Sequence, residues 1–361
     1  MAGNANLGAA KAAKNDEFYT QWNDIENEMQ AYLEYDPDVF RGKVVLLPCD
    51  NPKASNFTKY FALNFNKLGL KKLISTSYSP CRKGRIYVTE QGANLNDGAN
   101  LDKGCLKWDY LEGDGDFRSD EVMKLRDEAD IVVTNPPFSL FREFLAWLVE
   151  GNVKFSVIGN MNAVTYKEIF PLIKDNEMWP GAAFNKAMEF AVPADYYAAK
   201  DAELDKYGNR LVKVPAIAWY TNIEHGRRHE FLELMTLEDN LVYGSKKVRS
   251  AGYPSYDNYD AIEVPFTSCI PSDYEGIMGV PISFLGKYNP EQFEIVKFRH
   301  GDDGKDLGYT QEDGTYKTPY FRILIRHRNP ERKESPSLSR SRSGRSSLRC
   351  KRGSSHVEVR G

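Results

Sequence analysis

Four short apolar runs constrain this chain more than any other feature: Val44–Leu47, Leu73–Ser77, Ile131–Thr134 and Phe155–Gly159. Each is rich in Val, Ile or Leu, and none alternates cleanly between apolar and polar residues. A strand with one wet face alternates; a strand covered on both faces does not. Helical stretches lie between and after them, at Asn56–Leu68, Glu121–Glu128 and Leu140–Val149. In the last, Phe141, Phe144, Leu145 and Leu148 make one stripe. Strands alternating with helices predict an α/β fold, a doubly wound and mostly parallel sheet with helices on both faces. A further helix is predicted ahead of them, through Ile25, Met29, Tyr32 and Leu33, capped by Asn23 or Asp24.

After Pro180 the texture changes. Ala216–Thr221 reads as one more strong strand, and beyond it Tyr, Gly, Pro and Asp crowd around short apolar runs. The expected organisation is a frayed stretch over 1–14, the α/β domain over 15–223, and a mixed or β-rich lobe over 224–328 with a last strand near Thr318–His327. Residues 329–361 are Ser/Arg-rich with almost nothing to bury, and are expected to be disordered. The net charge of −3 hides an asymmetry. From residue 331 onward nine basic residues face three acidic ones, a balance of +6, so the remainder carries −9. An acidic body does not advertise a polyanion partner, and any nucleic-acid reading must rest on local patches.

Composition excludes a wholly disordered, collagenous or coiled-coil chain, at 41% hydrophobic and 27% charged residues. No run of about 18 apolar residues suggests a membrane span, and the opening residues do not read as a secretory signal. Five cysteines, Cys49, Cys81, Cys105, Cys269 and Cys350, are widely spaced. They point to reduced thiols in a cytoplasm and to no zinc site. The histidines show no ligand spacing either, so no metal is expected.

The chemistry is concentrated in Asp130-Ile-Val-Val-Thr-Asn-Pro-Pro-Phe138. A buried strand ends, an Asn-Pro-Pro-aromatic turn follows, and an amphipathic helix begins. Ligands of open α/β sheets bind at that edge. The prolines fix the backbone, so the Asn135 side-chain oxygen and the Pro136 carbonyl are two acceptors aimed at one place. Both can accept from one planar NH₂ group. An exocyclic amine of a base is a poor nucleophile because its lone pair is delocalised. Two acceptors draw it toward a tetrahedral geometry, Pro137 stiffens the turn, and Phe138 offers a face for the ring to stack on. A proline-stiffened turn with no chemistry is the plainer alternative; the strand before and the helix after favour the functional one.

On these residues the chain resembles the amino-methyltransferases that use S-adenosylmethionine. From about Lys14 to Arg326 it is similar to the EcoRI-type adenine-specific DNA methyltransferases. The resemblance implies a Rossmann-like methyltransferase fold, a cofactor of S-adenosylmethionine, and double-stranded DNA as partner. It also implies direct methyl transfer to adenine that has been flipped out of the helix. Lys14–Thr20 resembles the N-terminal cofactor motif, with Phe18, Tyr19 and Thr20 near the methionine end. Pro48-Cys49-Asp50 resembles the start of the family-wide cofactor loop, with Ser55 at the helix entrance in place of a glycine. That loop departs from the common pattern, which carries two glycines. Ser75–Ser79 lacks the carboxylate that usually holds the ribose. Asp116 and Phe117 resemble the acid-aromatic pair at the cofactor's adenine. An RNA base or protein glutamine as substrate, or a degenerate DNA-binding relative without catalysis, are the rival readings.

In the C-terminal lobe, Tyr243–Tyr259 interleaves Lys246, Lys247 and Arg249 with Tyr253, Tyr256 and Tyr259. The cations can hold phosphates and the aromatics can fill space beside a displaced base. Arg227-Arg228-His229 reads instead as a solvated turn. The protein is expected to be monomeric, with a restriction endonuclease acting on the same site but not bound to it. The Ser/Arg-rich tail reads either as a nonspecific DNA-binding arm or as an extension without a role, and the second reading is preferred.

Overall fold

The four apolar runs form the parallel centre of an eight-stranded sheet. The structure, a computed structural model, describes residues 19–92, 106–184, 188–192, 203–204, 210–214 and 216–331. The sheet contains β1 (Val44–Leu47), β2 (Lys72–Ser77), β3 (Arg85–Glu90), β4 (Asp109–Tyr110), β5 (Ile131–Thr134), β6 (Lys154–Asn160), β7 (Trp179–Pro180) and β8 (Ile217–Thr221). Their spatial order is β4-β3-β2-β1-β5-β6-β8-β7. Strands β2, β1, β5 and β6 are parallel. Antiparallel neighbours close both edges: β3 and β4 on one side, β8 and β7 on the other.

Successive residues of the central strands enter different cores, which is why the runs lack polar alternation. Val44, Leu46, Ile74, Val132, Phe155 and Val157 join one cluster. Val45, Leu47, Leu73, Ile131, Val133 and Ile158 join the other. On that second face lie helices α1 (Trp22–Tyr35), α2 (Asn56–Leu63) and α3 (Phe65–Leu68). On the first lie α4 (Asp120–Glu128) and α5 (Phe141–Glu150). The chain is therefore doubly wound. Two local expectations change. Helix α1 starts after Gln21, without a side-chain cap from Asn23 or Asp24. The single helix expected over Asn56–Leu68 breaks at Asn64, whose side-chain amide donates to the Tyr60 carbonyl.

Residues 224–331 add short helices and a second sheet of β9 (Ile262–Glu263), β10 (Met278–Pro281), β11 (Phe293–Phe298) and β12 (Arg322–His327), in the order β9-β10-β12-β11. Most of its apolar residues, from Ile262 to Ile325, belong to the same cluster as Val44 and Phe141, while Leu324 turns to a small cluster of the lobe's own with Tyr256, Ala261, Leu307 and Tyr309. Arg322 donates to both oxygens of buried Glu263, at 2.9 and 2.7 Å. Tyr256 donates to Glu263 as well. A buried carboxylate this fully paired fixes the strands it joins more than it stabilises them. The Arg227–His229 segment is not a solvated turn. Arg228 is buried, lies 3.6 Å from the centre of the Trp179 ring, and donates to Asn176. Residues 1–18 and 332–361, which include the expected frayed and disordered ends, lie outside the described residues.

Candidate active site

Strands β1 and β5 are neighbours, but the chain leaves β1 toward β2 on one side and returns to β5 on the other. Their carboxyl ends thus flank the point where the winding reverses, where open α/β sheets leave a crevice. Pro48-Cys49-Asp50 follows β1 and Asn135-Pro136-Pro137-Phe138 follows β5, so the fold brings together the two segments singled out in the sequence.

Asp50 joins them. Its side chain is 5% exposed. Oδ1 accepts from the Ser55 hydroxyl at 2.7 Å and Oδ2 from the Thr134 hydroxyl at 2.6 Å. Its backbone carbonyl accepts from Ser75 at 2.6 Å, and Thr76 donates to the Pro48 carbonyl at 3.1 Å. Burial pushes the Asp50 carboxyl up to about 6, although both hydroxyls oppose the shift. Cys49 beside it is pushed up strongly, by burial and by the charges of Asp50 and Asp116. Its sulfur is therefore a thiol at neutral pH, not a nucleophile. Asp50 donates its N–H to the Thr76 carbonyl and Ser79 donates to that of Asp114, so the loop after β1 and the Asp116 segment meet at the same end of β2.

Ser55 is the N-cap of α2 and accepts from the backbone N–H of Phe57 and Thr58. Those amides are spent, so this helix end is not a phosphate cradle. The next residue, Asn56, donates to the Thr20 carbonyl at 2.8 Å, which draws the N-terminal motif to the same helix entrance. Tyr19 and Thr20 form a strand paired with Ala191 and Phe190. Phe18 lies outside the described residues.

The Gly113–Phe117 segment docks on the end of β2. Ser79 donates its N–H to the Asp114 carbonyl and Gly84 to that of Gly113. Gly115, at φ +82°, makes this approach possible: a Cβ there would lie 2.3 Å from the Ser77 carbonyl oxygen. Asp116 does not stand free. Arg118 grips its carboxylate at 2.7 and 2.9 Å, which holds the acid below its ordinary range, and reaches Glu143 of α5 at 3.1 Å. Phe117 is 4% exposed, makes T-shaped contacts with Phe144 and Trp147, and borders a cavity that Arg118, Met123 and Glu143 also line.

Beyond β5, Asn135 is half-buried and Pro136 buried. The Pro137 carbonyl accepts from Leu140 N–H, closing a turn of 3₁₀ helix over Phe138–Leu140 that leads into α5. Phe138 is half-buried and packs partly on the second core cluster. The first residue of α5, Phe141, packs its ring directly on β6, where a Cβ on Gly159 would lie 2.5 Å from it. Thr134, Ser75 and Thr58 were not singled out from the sequence. Buried hydroxyls at the ends of two otherwise apolar strands were the available signal.

In the lobe, the Tyr243–Tyr259 stretch is partly helical. It includes the end of α7 (Leu237–Tyr243) and all of α8 (Lys246–Ala251), which follow α6 (Phe170–Lys174) along the chain. Helix α8 buries Val248 and turns Lys246, Lys247 and Arg249 to solvent. Tyr253 is half-buried and donates to the Cys269 carbonyl at 2.6 Å. Tyr256 is 5% exposed and bonded to Glu263, and it borders an open depression that Asp257, Asn258 and Asp302 also line. Among the described residues, no cluster of three or more His, Cys, Asp or Glu could hold a metal ion, and no helix is long and apolar enough to cross a membrane.

A doubly wound sheet, an Asn-Pro-Pro-Phe turn at its switch point and acids around the adjoining loop define a class, the amino-methyltransferases. The family described as "Adenine-specific methyltransferase EcoRI" matches residues 6–328. Type II methyltransferase M.EcoRI of Escherichia coli is 46% identical over 340 residues, covering 91% of this chain and 99% of its own length. M.MgeORF184P of Mycoplasma genitalium is 40% identical over 290 residues, 80% of this chain and 84% of its own. M.MpnI of Mycoplasma pneumoniae is 39% identical over 290 residues, 80% and 83% of the two lengths. The chain belongs to the EcoRI-type family of adenine-specific DNA methyltransferases.

Proposed function

We propose that this enzyme transfers a methyl group from S-adenosylmethionine to the exocyclic amine of an adenine flipped out of duplex DNA, in the crevice between the ends of β1 and β5. The observation that carries this reading is the position of Asn135–Phe138 at the switch point, tied through Thr134 and Asp50 to the loop after β1. When bound, S-adenosylmethionine supplies a methyl group on a cationic sulfonium, an electrophile with a neutral leaving group. The donor set suits a cation: carboxylates of Asp50 and Asp116 lie near Cys49, and the helix amides that would favour an anion are capped by Ser55.

Asn135 and Pro136 accept from the two hydrogens of the target amine and localise its lone pair. Phe138 presents a ring face to the base. The amine's proton becomes acidic only as the new N–C bond forms, so no strong base is needed. A stacked base cannot reach a strand-edge crevice, hence the flip. Thr20, the Pro48–Asp50 loop, Ser55 and Asp116 surround the cofactor, with Asp116 shared between ligand and Arg118. In the lobe, Lys246, Lys247 and Arg249 meet phosphates, and Tyr253 lies beside them. The enzyme acts as a monomer in the cytoplasm, with any cognate restriction endonuclease acting separately on the same site. Methyl transfer from labelled cofactor to plasmid DNA, followed by sequencing for modified bases, tests the reading. The expected result is N6-methyladenine at one recurring sequence. Label on cytosine, or none on DNA, refutes it.

A further inference from the structure

Asp50 is a buried carboxylate with two hydroxyl partners of its own chain, one on each side of the crevice. Ser55 stands at the start of α2, Thr134 at the end of β5, and all three side chains are at most 5% exposed. Each hydroxyl has one hydrogen, and each spends it on a different Asp50 oxygen, at 2.7 and 2.6 Å. This frees the Ser55 oxygen lone pairs to accept from Phe57 and Thr58. It also fixes the rotamer of Thr134, whose carbonyl carbon is bonded to the nitrogen of Asn135. The main chain of Asp50 is held too, by Ser75 on its carbonyl and by its own N–H on the Thr76 carbonyl at 2.8 Å. Ser75 is in turn bonded to Thr58 of α2 at 2.7 Å. The carboxylate thus cannot turn away from either partner. Hydroxyl–carboxylate bonds are charge-assisted and short, stiffer than hydroxyl–amide bonds. A buried charge with no basic partner among the described residues is a costly way to join two loops, and an uncharged pair would serve the fold alone.

We propose that Asp50 is a positioning residue, which couples the cofactor loop to the catalytic turn by holding Ser55 with one oxygen and Thr134 with the other. It touches neither substrate nor reacting atoms. Its two arms serve different steps: the Ser55 arm shapes the entrance of α2 for cofactor binding, and the Thr134 arm sets the aim of Asn135 for methyl transfer. The inference rests on the reading of Asn135 as the amine's acceptor.

The test uses the full chain and two readouts, the single-turnover methyl-transfer rate at saturating DNA and the cofactor dissociation constant by calorimetry. Thr134→Val should slow transfer by about tenfold or more, as small misplacements of a reacting group do, and leave cofactor affinity within about twofold. Thr134→Ser, which keeps the hydroxyl, should restore most of the rate. Ser55→Ala should do the reverse of Thr134→Val, weakening cofactor binding more than it slows transfer. Asp50→Asn should show both defects, and adding Thr134→Val to it should cost little more, the signature of a shared interaction. Wild-type transfer by Thr134→Val overturns the proposal. So does a pattern in which Thr134→Val and Ser55→Ala move both readouts in equal proportion, as generic loosening would. Asn135→Ala separates the layers. If it is inactive while Thr134→Val is normal, the coupling alone falls; if it is fully active, the catalytic reading falls with it.

Discussion

Phe138 is half-buried and packs partly on the core at the rim of the crevice. Tyr keeps the ring, so Phe138→Tyr should retain activity. Phe138→Ala should lose the roughly 1–3 kcal/mol that aromatic stacking on a base contributes. This would be read as a fall of about 5- to 150-fold in kcat/KM on duplex DNA, with the unfolding midpoint checked in parallel. His225 gives a pH test. It is buried beside Arg227 and Arg228, and Nε2 bonds the Pro180 carbonyl at 3.0 Å. Burial foremost pushes its pKa down to about 4. The folded value lies below the unfolded one, so stability from neutral His225 is present above about pH 6.5 and is lost as pH falls toward 4. The loss is on the order of 3 kcal/mol. Urea unfolding of His225→Gln should depend less steeply on pH in that window than the parent chain; equal slopes would contradict the assignment. At this scale the sequence was uneven. Asn135 announced itself because two prolines and an aromatic follow a buried strand. Thr134 did not, because a single threonine in a strand looks like ordinary β-propensity until its partner, 84 residues away in sequence, is known.

Helix α5 follows directly on the Asn135–Phe138 turn, and its seat on β6 depends on a missing side chain. Gly159→Ala would place a methyl group within 2.5 Å of the Phe141 ring. Overpacking of this kind costs about 1–3 kcal/mol, so thermal unfolding should show a lower midpoint and transfer should slow, since Phe141 starts the helix that follows Phe138. Unchanged stability would mean that the ring has room to move. The central strands were legible because residues covered on both faces must be continuously apolar. Strands β3 and β4 were not: Arg85–Glu90 is mixed in character, and Asp109–Tyr110 is two exposed residues. Their pairing follows from β2, not from their own pattern. The Arg227–His229 turn misled for a related reason. Two arginines and a histidine read as solvated, yet Trp179 and Asn176 supply a buried site for Arg228 that no local window contains.

Across the molecule, the methyltransferase sheet and the C-terminal sheet share one hydrophobic cluster, so the lobe is held fast beside the crevice. Replacing Lys246, Lys247 and Arg249 together with Ala should weaken DNA binding most at low salt. It should also flatten the plot of log affinity against log salt by up to about 3, roughly 0.9 for each phosphate that no longer meets a cation. An unchanged slope would place the phosphate-binding cations elsewhere. The central claim is that two acceptors in the turn after β5 activate the amine. Asn135→Ala, assayed in a single turnover with cofactor and DNA saturating, tests it most directly. The account predicts a loss of rate on the order of 10²-fold or more, as for other preorganised polar groups that face developing charge, with cofactor affinity nearly unchanged. Transfer at close to the parent rate would contradict it.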